Sequence, residues 1–153
     1  MITRPFEQVQ VGERQVTRAR TITESDIVNF AMLSGDWHPL HTDVEHAKKS
    51  GYGVRIAHGM LVLSVMTGLV ELDAGHVLAF YGMDRVRFVR PTKIGDTIHA
   101  VTEVTETRER DERSGIVTLD VSIKNQRDET VASATVLMVV AREASARQKE
   151  VPL

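Results

Sequence analysis

The sequence predicts an α+β domain in which an antiparallel β-sheet wraps a long central apolar helix. Three observations carry that prediction. Met60 to Leu72 is the longest apolar stretch of the chain, and its apolar residues fall on every side of a helical wheel; a helix apolar all round is one buried on all sides. Four runs with strand character follow it. The connections between those runs are short, and closely connected strands pair antiparallel, because parallel neighbours need a crossover of a dozen or more residues.

Taken in order, Arg14 to Ile22 alternates as a first strand. Thr23 suits an N-cap, Asp26 sits three positions on, and Ile27, Phe30, Ala31 and Ser34 then recur at helical spacing. Gly35 supplies the stop. Asp36 to His58 holds Pro39, Gly51 and Gly53 and reads as an ordered loop, with Asp43 capping one short turn of helix through Ala47. A loop of that length inside a compact domain is usually functional. After the apolar helix come strands over Val77 to Arg90, ended by Pro91, over Asp96 to Arg108, over Ile116 to Lys124, and over Thr130 to Ala141. In the third of these Val117, Leu119, Val121 and Ile123 alternate with Thr118, Asp120, Ser122 and Lys124, the pattern of a sheet with one face on a core. Residues 142–153 are polar and lack period, so a flexible tail is expected there.

The 153 residues amount to one domain, 1–153, and 42% of them are apolar, enough for a sizeable core. There is no cysteine, which excludes disulfides, thiolate metal sites and a thiol nucleophile. Nineteen Lys and Arg against twenty-one Asp and Glu leave a formal charge of -2, too balanced for a nucleic-acid surface or a polybasic membrane patch. The apolar helix would reach about 20 Å, short of the ~30 Å a spanning helix must cross. The first residues, Met1-Ile2-Thr3-Arg4-Pro5-Phe6-Glu7, carry no apolar run behind their charge, so a secretory signal is not expected and the cytoplasm is the default.

The chemistry concentrates in one loop. Four of the six histidines, His38, His41, His46 and His58, share the 36–58 segment with Asp36 and Asp43. Pro39 stiffens a bend that could bring Asp36 and His41 to the same side, where one water would bridge a carboxylate and an imidazole, a pairing suited to acid-base work near neutral pH. On the residues alone the alternative stands beside it: Asp36 as a turn cap and His41 as an ordinary, partly buried histidine. A metal site from His38, His41 and Asp36 or Asp43 is a further reading, although Pro39 stops a helix from aligning the two histidines. Gly59 opens the apolar helix, so its N–H is an orphan donor at a positive helix end, where a ligand oxygen could come close; plain tight packing explains a glycine there equally well. Trp37 either shields the Asp36–His41 space or covers core. Arg85, Arg87, Arg90 and Lys93 form a small anion site or a solvated strand face.

The run Ser34-Gly35-Asp36-Trp37-His38-Pro39-Leu40-His41-Thr42-Asp43, then Ile56-Ala57-His58-Gly59-Met60-Leu61, then Phe88-Val89-Arg90-Pro91 with Gly95-Asp96, resembles the MaoC-like (R)-specific enoyl-CoA hydratase and dehydratase family over about residues 6 to 140. The resemblance implies a hot-dog fold, a helix wrapped by an antiparallel sheet, and pairing into homodimers whose sheets join. It implies that Asp36 and His41 hold and activate a water and that the Gly59 amide donates to a thioester carbonyl. Trp37, His38, His58, Thr67 and Arg90 are the substrate-binding residues it implies around them, with Thr67 where the family usually has serine and His38 where it has asparagine. The implied reaction is reversible hydration of trans-2-enoyl-CoA to (3R)-hydroxyacyl-CoA, without a cofactor, with acyl carrier protein thioesters as alternative substrates. An acyl-CoA thioesterase and a non-catalytic acyl-thioester binding subunit are the competing readings.

Overall fold

Thr23 begins a helix as its position predicts. In the computed structural model, which describes residues 2–143, the Thr23 hydroxyl accepts from the Asp26 amide, while the Asp26 carboxylate accepts from the Thr23 amide at 2.8 Å. This reciprocal cap satisfies two orphan donors and starts α1 (Glu24–Ser34). Gly35 ends it at φ 75°, a left-handed conformation that a side chain resists. Inside the expected loop the chain forms two further short helices, α2 (Pro39–Thr42) and α3 (Val44–Lys49). Asp43 caps α3 as expected, accepting from the amides of Glu45 and His46; α2 replaces part of the expected loop and starts on Pro39, whose fixed φ is already helical.

The apolar helix, α4, runs over Gly59–Leu69 and is shorter than the Met60 to Leu72 stretch. Leu61, Val62, Leu63, Val65, Met66 and Leu69 are buried, whereas Met60, Ser64, Thr67 and Gly68 are exposed. Those four positions follow i, i+4, i+7 and i+8, so they form one stripe. The expectation of burial on all sides is therefore corrected: this chain wraps α4 on all but one side, and the open stripe includes the polar and small residues of the helix.

Four long strands follow, β3 (Val77–Phe88), β4 (Thr97–Glu109), β5 (Ser114–Lys124) and β6 (Thr130–Ala141). With β1 (Arg14–Val16) they make an antiparallel sheet in the order β1-β4-β5-β6-β3, and β2 (Arg20–Thr21) also pairs with β4. The single first strand expected over Arg14 to Ile22 is thus two short ones. Thr17 explains the break, because its hydroxyl accepts the Ala100 amide at 2.9 Å and so replaces a main-chain partner in the ladder.

One face of the sheet closes on α4. Ile98, Ala100 and Val104 of β4, Val117, Leu119, Val121 and Ile123 of β5, and Val136, Met138 and Val140 of β6 share a core with Ile22, Ile27 and the buried side of α4. Burying each larger aliphatic side chain contributes about 1.5–3 kcal/mol. This sheet curled about one helix is the hot-dog arrangement. No described helix is long and apolar enough to cross a membrane. At the far end Arg142 pairs with Glu7 and Glu109; the tail expected over 142–153 lies, from residue 144 on, outside the described residues.

Candidate active site

Local chemistry places each group. The His38 side chain N-caps α2, its Nδ1 accepting the Leu40 amide at 3.2 Å, which is the role an asparagine oxygen plays at such a position. Pro39 follows at the first helical position, and one turn of α2 then carries His41 inward. There His41 Nδ1 lies 2.8 Å from the Ile56 carbonyl. A carbonyl only accepts, so Nδ1 holds the hydrogen and Nε2 keeps a lone pair. Ile56 and Ala57 are themselves pinned, by the Ile56 amide to the Leu40 carbonyl and by the Ala57 amide to the Thr92 carbonyl.

Asp36 follows Gly35 in an exposed turn and accepts the His38 amide on one carboxylate oxygen at 3.2 Å, while the other has no hydrogen bond among the described residues. Ligand-capable atoms of Asp36, His41 and His58 lie within 4.8 Å of one another. Two hydrogen bonds of about 2.8 Å through one water span such a gap. His58 is 2% exposed, with Nε2 3.0 Å from the Asp36 main-chain oxygen. Burial is the largest effect on His41 and lowers its proton affinity below the usual imidazole value. The bond to Ile56 and the Asp36 carboxylate oppose that shift, and His58 and His38 reinforce it.

Beside this cluster opens a cavity of about 350 Å³ lined by His41, Tyr52, Ile56, Gly59, Met60, Phe88, Arg90 and Val131, among others. Gly59 is the first residue of α4, so its amide is one of the orphan donors at the helix N-terminus. A Cβ on Gly59 would stand 2.7 Å from the Phe88 ring, which accounts for the glycine by close approach.

Over residues 6–126 the sequence matches the model of the MaoC like domain family. The chain belongs to that family. It is 48% identical over 95 residues to Protein MaoC of Klebsiella aerogenes, a match that takes in 61% of this chain and 28% of that much longer relative. It is 35% identical over 105 residues to an (R)-specific enoyl-CoA hydratase of Rhodospirillum rubrum, covering 69% of this chain and 72% of the relative. The crystal structure of a monoamine oxidase regulatory protein from Archaeoglobus fulgidus superposes with a TM-score of 0.86 at 47% identity, covering 90% of this chain and 94% of that one.

Within this MaoC-like domain the structure gathers Asp36, His41, His58 and Gly59, and it puts Arg90 on the cavity lining, where the guanidinium also donates to the Thr130 carbonyl. It does not gather the rest. Thr67 lies apart from that group: eight residues along α4 from Gly59, or about 12 Å, its hydroxyl donates to the Ser64 carbonyl and it borders a different, small apolar cavity with Phe80 and Met138. Trp37 is 54% exposed and is not among the residues that line the cavity. His38 serves as a cap, and the buried His58 lies behind the lining rather than on it. Arg85 instead reaches Thr135 on β6, and Arg87 turns to its neighbour's carbonyl, so the four basic residues do not converge.

The metal reading also changes. Asp43 is engaged as a helix cap and His38 as another, so the histidine that joins Asp36 and His41 is His58. The His41 and His58 rings lie 3.8 Å apart and tilted by 30°, which keeps their lone pairs in nearly parallel planes, whereas ligands of one ion aim at a common point. Two contributors escaped the sequence reading. Phe88 belonged to a recognised motif but was given no role, and Ile56 acts through its main-chain carbonyl, which no side-chain pattern announces.

Proposed function

We propose that this MaoC-like domain catalyses reversible hydration of trans-2-enoyl-CoA thioesters to (3R)-hydroxyacyl-CoA. The observation that carries the reading is the placement of an Asp36 carboxylate oxygen and an imidazole nitrogen of His41 within 4.8 Å, about one bridging water apart, beside a cavity that the N-terminus of α4 also faces. Both groups are acceptors, so a water between them donates both hydrogens and turns its own lone pair toward C3 of a bound enoyl chain. As the oxygen bonds to C3, Asp36 takes one proton and the other hydrogen stays in the new hydroxyl, directed at His41. Electron density moves through C2 to the thioester oxygen, where the Gly59 amide stabilises it; one such donor is worth about 3 kcal/mol in comparable sites. The Asp36 proton then passes to C2 on the same face, which restores the carboxylate and completes addition of H and OH. Dehydration retraces these steps. Arg90 supplies a fixed cation for an anionic part of the thiol carrier.

The R configuration and the enoyl-CoA class are supported by the relative named for that activity. The test is loss of the conjugated-thioester absorbance with crotonyl-CoA and longer enoyl-CoAs, with chiral analysis of the product. Wild-type turnover should fall by about 100-fold or more in Asp36→Asn and in His41→Gln. Unchanged turnover in both variants overturns the mechanism. Thiol release from saturated acyl-CoA would instead identify a thioesterase, and acyl-CoA binding without turnover a binding subunit. We infer in addition a homodimer joined through β3, since this strand is 12 residues long, pairs only with β6 among the described strands, and exposes Leu78 and Tyr81.

A further inference from the structure

His58 occupies the N-cap position of α4, yet its side chain caps nothing there. A residue at such a position usually satisfies one of the helix's orphan amides. This imidazole turns back instead, and it does so while almost completely buried. Nε2 meets the Asp36 main-chain oxygen at 3.0 Å, so Nε2 holds the hydrogen and Nδ1 is left with a lone pair. Nδ1 has no hydrogen-bond partner among the described residues. Burying a polar ring half-satisfied, at a position where apolar packing would do, asks for a reason.

The ring's neighbours supply one. One face lies against His41 at 3.8 Å between centroids, and Phe30 of α1 stands 5.0 Å away at 50°. His58 therefore touches both members of the proposed water-holding pair, through different atoms. Asp36 needs such a contact, because among the described residues its other hydrogen bonds are local, to Ser34 and His38. His41 needs one too. A single bond from Nδ1 to Ile56 fixes one direction of the ring and leaves it free to roll about that line; a stacked neighbour removes the roll.

We propose that His58 is a positioning residue that clamps the pair, its Nε2–H holding the Asp36 main chain and its ring face holding the plane of the His41 imidazole. The inference rests on the hydratase reading of Asp36 and His41 and deepens it. Its consequence is kinetic, since displacement of a reacting group by about 1 Å can lower turnover by about 100-fold without affecting substrate affinity.

Two variants divide the clamp. His58→Phe keeps an aromatic face and removes the donor, whereas His58→Gln keeps an N–H near the reach of Nε2 and removes the ring. With the substrate the wild type turns over, each should lower kcat by about 10-fold or more while KM stays within about 3-fold. Hydrogen exchange reads the clamp without catalysis. The Trp37 and His38 amides should exchange about 10-fold faster in His58→Phe and regain protection in His58→Gln, while the Leu119 amide in β5 is unchanged in both. A folded His58→Phe with kcat within about 2-fold of wild type, or with KM raised and kcat intact, overturns the proposal. If His58→Phe does not fold, His58→Gln decides alone: a fallen kcat at constant KM upholds the clamp, and an intact kcat overturns it. Should the wild type hydrate no enoyl-CoA, the hydratase reading fails separately, and exchange at Trp37 and His38 alone decides whether His58 holds the turn.

Discussion

The imidazoles of His41 and His58 lie face against face at 3.8 Å, while Nδ1 of His41 donates to the Ile56 carbonyl at 2.8 Å. One ring is half-buried and the other almost wholly so. A charged His41 would lose water on one side without gaining an anionic partner in direct contact, and burial accordingly lowers its proton affinity. The neutral, accepting form is therefore the one the site presents at pH 7.

This has a pH signature of defined sign. The folded pKa of His41 lies below its unfolded value of about 6.5. Between the two the unfolded chain binds more protons, so stability rises with pH across that window and is lost on acidification from about 6.5 down to the folded pKa. The kcat/KM for hydration should share that acid limb, below the usual imidazole range. Urea unfolding at several pH values, for wild type and His41→Gln, isolates the contribution: the pH slope should flatten in the variant. An acid limb of kcat/KM above 6.5 would contradict a neutral His41 that accepts a hydrogen bond from the water.

Gly59 and Phe88 should behave as a unit. A Cβ at Gly59 meets three atoms of the Phe88 ring at 2.7–2.9 Å, so Gly59→Ala must push the ring away from the helix N-terminus. Overpacking of this kind costs about 1–3 kcal/mol. In Gly59→Ala/Phe88→Ala the clash is gone, and the double variant should lose less stability than the two single losses added together. Chemical denaturation of all four proteins measures the coupling; strict additivity would show that the ring yields freely.

His38 tests whether the departure from asparagine is conservative. Its Nδ1 accepts the Leu40 amide, and Asn can present an oxygen to the same donor. His38→Asn should thus leave stability within about 0.5 kcal/mol, while His38→Ala, which has no acceptor, should lose about 1 kcal/mol. Because α2 carries His41, the Ala variant should also lose kcat. Equal stability of all three proteins by denaturant titration would remove the cap from the account of the site.

How much of this was legible before any coordinates depended on whether side chains or main chain carried the information. The period of β5, the Thr23–Asp26 cap and the Gly35 stop are written in side-chain types, and all three stand in the structure. The open stripe of α4 was hidden, because Met60 is apolar yet faces outward, and an apolar residue does not announce which side of a helix stays open. At the site, the bend at Pro39 brought Asp36 and His41 together as their spacing suggested. The contacts of the third member were not legible. His58 drew notice for preceding Gly59, whereas its contacts are with the main chain of a residue 22 positions earlier and with the face of His41. Thr67 stands apart from this cluster, a matched position whose hydroxyl donates to a carbonyl of its own helix.

The β3 edge gives the last prediction. Edge strands expose unpaired main-chain groups and are normally short, charged or covered. The edge at the other end of the sheet obeys that rule, with strands of three and two residues. β3 does not, since it is 12 residues long and leaves Leu78 45% and Tyr81 55% exposed. Pairing with β3 of a second copy would satisfy the edge, and its two-fold symmetry suits an antiparallel junction. A stable contact should bury more than about 1,000 Å², so the exposed stripe of α4 is a candidate to join it. Light scattering after size exclusion should therefore give twice the 17.1 kDa chain mass for wild type. Leu78→Lys/Tyr81→Lys should give one chain mass, with hydration reduced if the partner steadies the cavity. A wild-type monomer would defeat the idea outright, and a variant that stays dimeric would move the interface away from β3.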